Sequence, residues 1–79
     1  MNEQFTPYEI RLANEIADSL HDRDSIAMHL KYVRKYKEEF LRRVLQKVLS
    51  LDETKIRKSR AALYNFLINQ GDKYGGAGY

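Results

Sequence analysis

From residue 40 onward the apolar residues arrive in adjacent pairs: Phe40-Leu41, Val44-Leu45 and Val48-Leu49, with two polar residues between successive pairs. A β-strand would throw the two members of each pair onto opposite faces of a sheet. A helix of 3.6 residues per turn gathers all six onto one broad stripe. A stripe that wide has to be covered, so this segment predicts the central helix of an all-α fold. Lys37-Glu38-Glu39 opens it, with two acids where the helix dipole favours them, and Glu39 and Arg43 stand four apart and can pair.

Three further helices are expected around it. Thr6-Pro7-Tyr8-Glu9 reads as a capping box with proline at the first helical position, where a missing N–H costs nothing. Leu12, Ala13, Ile16, Ala17 and Leu20 follow at spacings of three and four, which predicts a helix over about 7–20, and Phe5 is positioned to staple onto Ile10. The polar break His21-Asp22-Arg23-Asp24 supplies Asp22 or Asp24 as the cap of a second helix, about 24–35, with Ile26, Leu30 and Val33 inward and Ala27 beside them. Ser50-Leu51-Asp52-Glu53 resembles a second capping box, with Asp52 as a rival cap. It predicts a fourth helix over about 53–70, lined inward by Ile56, Leu63, Phe66 and Leu67 and stopped by Gly71. Ser59, Ala61 and Ala62 are small enough for a neighbouring helix to approach closely.

The expected architecture is therefore a compact all-α bundle of four short helices over residues 1–71, followed by a flexible glycine-rich tail, 72–79. At 79 residues the core is small, and a partner or self-association surface is a natural supplement.

Composition excludes several classes. No cysteine means no disulfide, thiol nucleophile or thiolate metal site, and fits a cytoplasmic location. No apolar run approaches the ~18 residues that span a bilayer. MNEQFTPYEI lacks the basic and apolar regions of a signal peptide. His21 and His29 are the only histidines. His21 with Asp22 and Asp24 matches no zinc or calcium spacing, since the sixth and twelfth positions of a calcium loop would be Ala27 and Val33. His29, at the border of its helix, is expected to be solvated or interfacial. Glu38 and Glu39 point about 100° apart on a helix and cannot converge on a substrate. Gly75, Gly76 and Gly78 follow no strand and do not form a phosphate loop. These readings predict a protein that is not an enzyme and carries no cofactor or metal.

Charge is unevenly spread. The net charge is −4 over residues 1–30, +7 over 31–60 and zero over 61–79. A basic block of this kind suits a polyanion. Projecting the fourth helix with Ile56 inward puts Arg57, Lys58, Ala61, Tyr64, Asn65 and Ile68 on its outer half, flanked by Lys55 and Arg60. Cations meet phosphates, asparagine can read an adenine edge and tyrosine can stack. The third and fourth helices, joined at Ser50–Glu53, resemble a helix-turn-helix loosely, and Arg42, Arg43 and Lys47 can add backbone contacts. Nucleic acid, DNA or RNA, is therefore the expected partner. The alternative is a protein-interaction or homo-oligomerisation module, for which Met28, Tyr32 and Tyr36 form an apolar stripe among lysines on the outer side of the second helix. Membrane binding is not expected, because the basic helices lack a bulky apolar outer face.

Overall fold

A computed structural model describes the backbone of residues 4–73 and the side chains of residues 4–70. The fold is all-α, with four α-helices among the described residues: α1 Pro7–Ser19, α2 Ile26–Lys35, α3 Glu38–Leu49 and α4 Arg60–Lys73. Single 3₁₀ turns at Arg23–Ser25 and Glu53–Lys55 precede α2 and α4. No helix among the described residues is long and apolar enough to cross a membrane. The expected glycine-rich tail begins, in the structure, inside α4, and its remainder, 74–79, lies outside the described residues. The chain divides into two compact units, Met1–Lys37 and Glu38–Tyr79, where the sequence suggests one domain.

In the N-terminal unit α1 packs against α2. Thr6 caps α1 as the sequence predicts: its Oγ1 accepts from the Glu9 N–H at 3.1 Å, and Glu9 Oε1 accepts from the Thr6 N–H at 2.8 Å. Leu12, Ala13, Ile16, Ala17 and Leu20 are buried, matching the predicted stripe. Ile10, the expected partner of Phe5, stays 45% exposed. The Phe5 ring lies under the Arg34 guanidinium, 4.2 Å from centroid to carbon.

α1 ends through two backbone bonds, Asp22 N–H to the Ala17 carbonyl (2.8 Å) and His21 N–H to the Asp18 carbonyl (3.1 Å). This is a Schellman arrangement, which needs a left-handed residue at its apex. His21 occupies that place at φ 54°. Neither aspartate then caps the next helix as expected. Asp22 has no capping hydrogen bond, and its Oδ2 lies 3.0 Å from His29 Nε2. His29, expected to be solvated or interfacial, is fully buried. A buried imidazole needs a polar partner, and Asp22 provides one across the α1–α2 connection.

In the C-terminal unit α3 packs against α4. Phe40, Leu41, Val44, Leu45 and Val48 are buried, while Leu49, at the end of the stripe, is partly exposed. The ion pair on α3 joins Glu38 to Arg42 at 2.5 Å, one step before the expected Glu39–Arg43.

The fourth helix departs most from expectation. It starts at Arg60, seven residues later than Glu53, because Ser59 is its cap: Ser59 Oγ accepts from the Ala62 N–H at 3.0 Å. Asp52-Glu53-Thr54-Lys55 closes only a 3₁₀ turn, and Ile56 is extended at φ −107°, ψ 117°. At the other end α4 runs through Gly71 to Lys73 rather than stopping at the glycine. The projection anchored on Ile56 therefore carried the wrong phase across a break. Tyr64, Leu67 and Ile68 form the buried face, and Phe66, about 200° around from Tyr64, is 59% exposed.

Candidate functional site

Ten residues, 50–59, connect α3 to α4. That is too long for the three- or four-residue turn of a helix-turn-helix, so that likeness does not hold. The connector needs an anchor, and Arg60 provides it. Its Nη1 donates to the Val48 carbonyl at 2.8 Å and the Leu51 carbonyl at 3.0 Å. The Val48 carbonyl lies in the last turn of α3 and the Leu51 carbonyl in the connector two residues past its end, a place where a cation is favoured. Arg60 is thus half-buried and its Nη1 holds the connector, a structural role beside the phosphate contact expected of it.

The expected basic strip is dispersed in the same way. Tyr64 is fully buried and cannot stack on a base. Asn65 lies half-buried, with its Oδ1 accepting from Asn69 Nδ2 at 3.1 Å, so it does not offer a base-reading edge. Ile68 is buried and Ala61 half-buried, where both were expected outside. Arg42 is paired with Glu38. Arg43 and Lys47 are exposed on α3 and line, with Val44 and Leu67, a depression of about 220 Å³.

Lys55, Arg57 and Lys58 remain together and exposed, and among the described residues none is paired with a carboxylate. They rim a groove of about 590 Å³ whose floor is Ile56, Ala62, Leu63 and Phe66, with Ser59 at its edge. No acid lines it, and α4 has no acid in its first turn to offset the positive end of the helix dipole. The groove brings together a basic rim, an aliphatic floor and one exposed aromatic ring. Sequence reasoning placed Phe66 and Leu63 in the core and so missed the floor. The signal available was Ser59 before Arg60-Ala61-Ala62, which restarts the helical phase and turns Phe66 outward.

The second candidate surface is only partly open. Met28, Tyr32 and Tyr36 are each half-buried. Tyr32 and Tyr36 meet edge to face at 5.8 Å, and Lys35 Nζ lies 5.4 Å from the Tyr36 ring centroid. Tyr36 is the extended cap at the end of α2, and its N–H still donates to the Tyr32 carbonyl at 2.9 Å.

Elsewhere, Glu9 receives Arg34 Nη2 at 3.0 Å and Nε at 3.5 Å, and the same guanidinium donates to the Gln4 carbonyl at 2.6 Å. Arg34 first, and then the Thr6 N–H, hold the Glu9 carboxyl below the usual carboxylate range. Among the described residues no cluster of three or more His, Asp or Glu has the geometry to hold a metal ion. Comparison with family models, with curated proteins and with solved structures gives no significant match.

Proposed function

We propose that the chain is a non-enzymatic module that binds nucleic acid through its phosphate backbone, with Lys55, Arg57 and Lys58 as the contacting cations. The observation that carries this reading is their grouping: three exposed cations within four residues, unpaired among the described residues, around a groove with no acid. Exposed ammonium and guanidinium groups at this density lower their mutual repulsion by binding a polyanion and releasing its counterions. Arg43 and Lys47 add to the positive field of the same unit. The groove lacks an acid, a histidine or a thiol to move protons or attack a substrate, which favours binding over catalysis. A cytoplasmic location goes with the proposal and with a cysteine-free chain.

Binding of a fluorescent oligonucleotide across a salt series tests it. Each phosphate neutralised contributes a log–log slope of about −0.7 on a single strand and about −0.9 on a duplex, so three contacts give a slope of roughly −2 to −3. Replacing Lys55, Arg57 and Lys58 together by Glu abolishes this, while Arg11→Glu with Arg23→Glu leaves most of the affinity. No binding at low salt to DNA or RNA, single- or double-stranded, rejects the reading.

One observation favours the protein-interaction alternative: the floor of the groove is apolar. Under that reading the ligand is an acidic peptide or a second copy of the chain, and Met28, Tyr32 and Tyr36 contribute a second contact. Sedimentation of wild type and Tyr32→Glu separates self-association from a foreign partner.

A further inference from the structure

We infer that the groove takes an unstacked base of a single-stranded nucleic acid, with Phe66 as the stacking platform and Lys55, Arg57 and Lys58 on the flanking phosphates. This deepens the nucleic-acid reading and rests on it.

The argument starts from what the floor cannot do. The side chains of Ile56, Ala62, Leu63 and Phe66 have no hydrogen-bond donor or acceptor, so in a duplex groove they can make no hydrogen bond to a base edge and have only the thymine methyl to contact. Nor can the residues of α4 expected to do so, since Tyr64 is buried and Asn65 is held by Asn69. Apart from that methyl, an apolar floor meets a base face or a sugar. In a duplex the base faces are covered by their neighbours, whereas in a single strand they are exposed.

The ring is also in the right state. Phe66 is 59% exposed on a helix that buries Tyr64, Leu67 and Ile68 and half-buries Leu63, and leaving a phenylalanine in water is unfavourable unless something covers it. A cationic rim beside an exposed aromatic is the pairing that single-strand sites use: charge tracks the backbone and the ring stacks on any base.

Size separates this occupant from a peptide helix. On α4 the floor runs from Ala62 to Phe66, one turn, about 6 Å at 1.5 Å per residue. An amphipathic helix docks through anchors at i, i+3, i+4 and i+7, which needs about 10 Å. Nucleotides stacked at about 3.4 Å fit one or two to the available length. Charge complementarity selects the polyanion, because the rim is wholly basic.

The test compares three labelled probes of equal length at low salt: a dT single strand, an abasic single strand with the same phosphates, and a duplex. The expected order is dT single strand tightest, with the abasic strand weaker. Phe66→Ala lowers affinity for the dT strand by about 5- to 150-fold, the range for losing one stacked base. It leaves the salt slope and the abasic affinity unchanged, because the phosphate contacts remain. Lys58→Glu does the reverse and flattens the slope on all three. Phe66→Trp, in a chain with no other tryptophan, is quenched by the dT strand and not by the abasic one. Circular dichroism of both Phe66 variants confirms that the exposed site tolerates the change. Equal binding of dT, abasic and duplex probes, with Phe66→Ala neutral, overturns base stacking while leaving the backbone reading in place. No binding to any probe overturns both, and direct binding of a labelled acidic peptide that Lys58→Glu abolishes then assigns the groove to a protein partner.

Discussion

The two units use their charged groups differently. The N-terminal unit, Met1–Lys37, carries six Lys+Arg and six Asp+Glu, and it turns several of them into internal links. Arg34 ties Glu9 and the Gln4 carbonyl, Arg23 pairs with Asp18, and Asp22 holds His29. The C-terminal unit, Glu38–Tyr79, carries eight Lys+Arg and five Asp+Glu. It uses Arg60 to hold its long connector and Arg42 to pair along α3, and leaves Lys55, Arg57 and Lys58 exposed at the groove. Lys and Arg side chains lose conformational entropy when fixed, so an ion pair between exposed groups contributes little by itself. What differs is therefore less the strength of each unit than the chemistry it presents to solvent. One presents balanced charge and the other unbalanced charge beside an apolar floor.

Arg60 and Arg57, three residues apart, put the sharpest test on that contrast. Arg60→Met removes two charge-assisted bonds to half-buried carbonyls, and should destabilise the chain by about 1.5–3 kcal/mol in urea unfolding followed by circular dichroism. Arg57→Met, at an exposed position, should change stability by no more than about 0.5 kcal/mol. For oligonucleotide binding the order inverts: Arg57→Met weakens it directly, and Arg60→Met does so only to the extent that the connector loosens. Equal stability losses from the two variants would mean that the division between structural and exposed cations is wrong.

In the N-terminal unit the same contrast predicts an acid sensitivity. Arg34 and the Thr6 N–H favour the charged form of Glu9 in the folded state, so its folded pKa lies below its unfolded value. The contribution is present above the unfolded pKa, near the ordinary carboxylate value, and is lost as pH falls through the lower folded one. Melting temperature should therefore fall on acidification below about pH 4.5, and Arg34→Met should make that part of the profile shallower. Lys58→Met, remote in chemistry from any carboxylate at the groove, should leave it unchanged. An Arg34→Met profile parallel to wild type would show that the link to Glu9 does not matter to folding.

How much of this was readable in the sequence depended on whether one helical phase held through a segment. For α1 and α3 it did. Thr6 and Glu9 mark one start, Glu38 and Glu39 the other, and the stripes Leu12–Leu20 and Phe40–Val48 are the buried ones. For α4 a phase anchored on Ile56, which is extended, places Leu67 inward and Arg57 and Lys58 outside as found, but misplaces Tyr64, Phe66 and Ile68. Tyr64 and Ile68 moved inward and Phe66 outward for that one reason. The competing caps were the difficulty: Ser50, Asp52 and Ser59 all have side chains suited to an N-cap, and only Ser59 stands directly before α4. Which cation would be taken up internally was not legible either, because the Val48 and Leu51 carbonyls that receive Arg60 are defined by where α3 ends in space.

The smallest expected effect concerns the turn that closes α1. Its Schellman bonds require a left-handed apex, and His21 sits there at φ 54° with a Cβ that crowds the following carbonyl. Histidine visits this region more readily than most residues but still at a cost of about 1 kcal/mol. His21→Gly removes the clash and preserves both backbone bonds, since neither involves the imidazole. Glycine also widens the unfolded ensemble, which offsets part of the gain. The net result should be a stabilisation of under about 1 kcal/mol, seen as a small rise in the urea midpoint with an unchanged slope. His21→Ala keeps the Cβ and should give no such rise. That pairing isolates backbone strain from the loss of the ring: equal shifts from Gly and Ala would assign the effect to the imidazole and remove the strain argument. A neutral oligonucleotide affinity in both variants is expected, because the exposed His21 ring belongs to the N-terminal unit, whose charges are balanced.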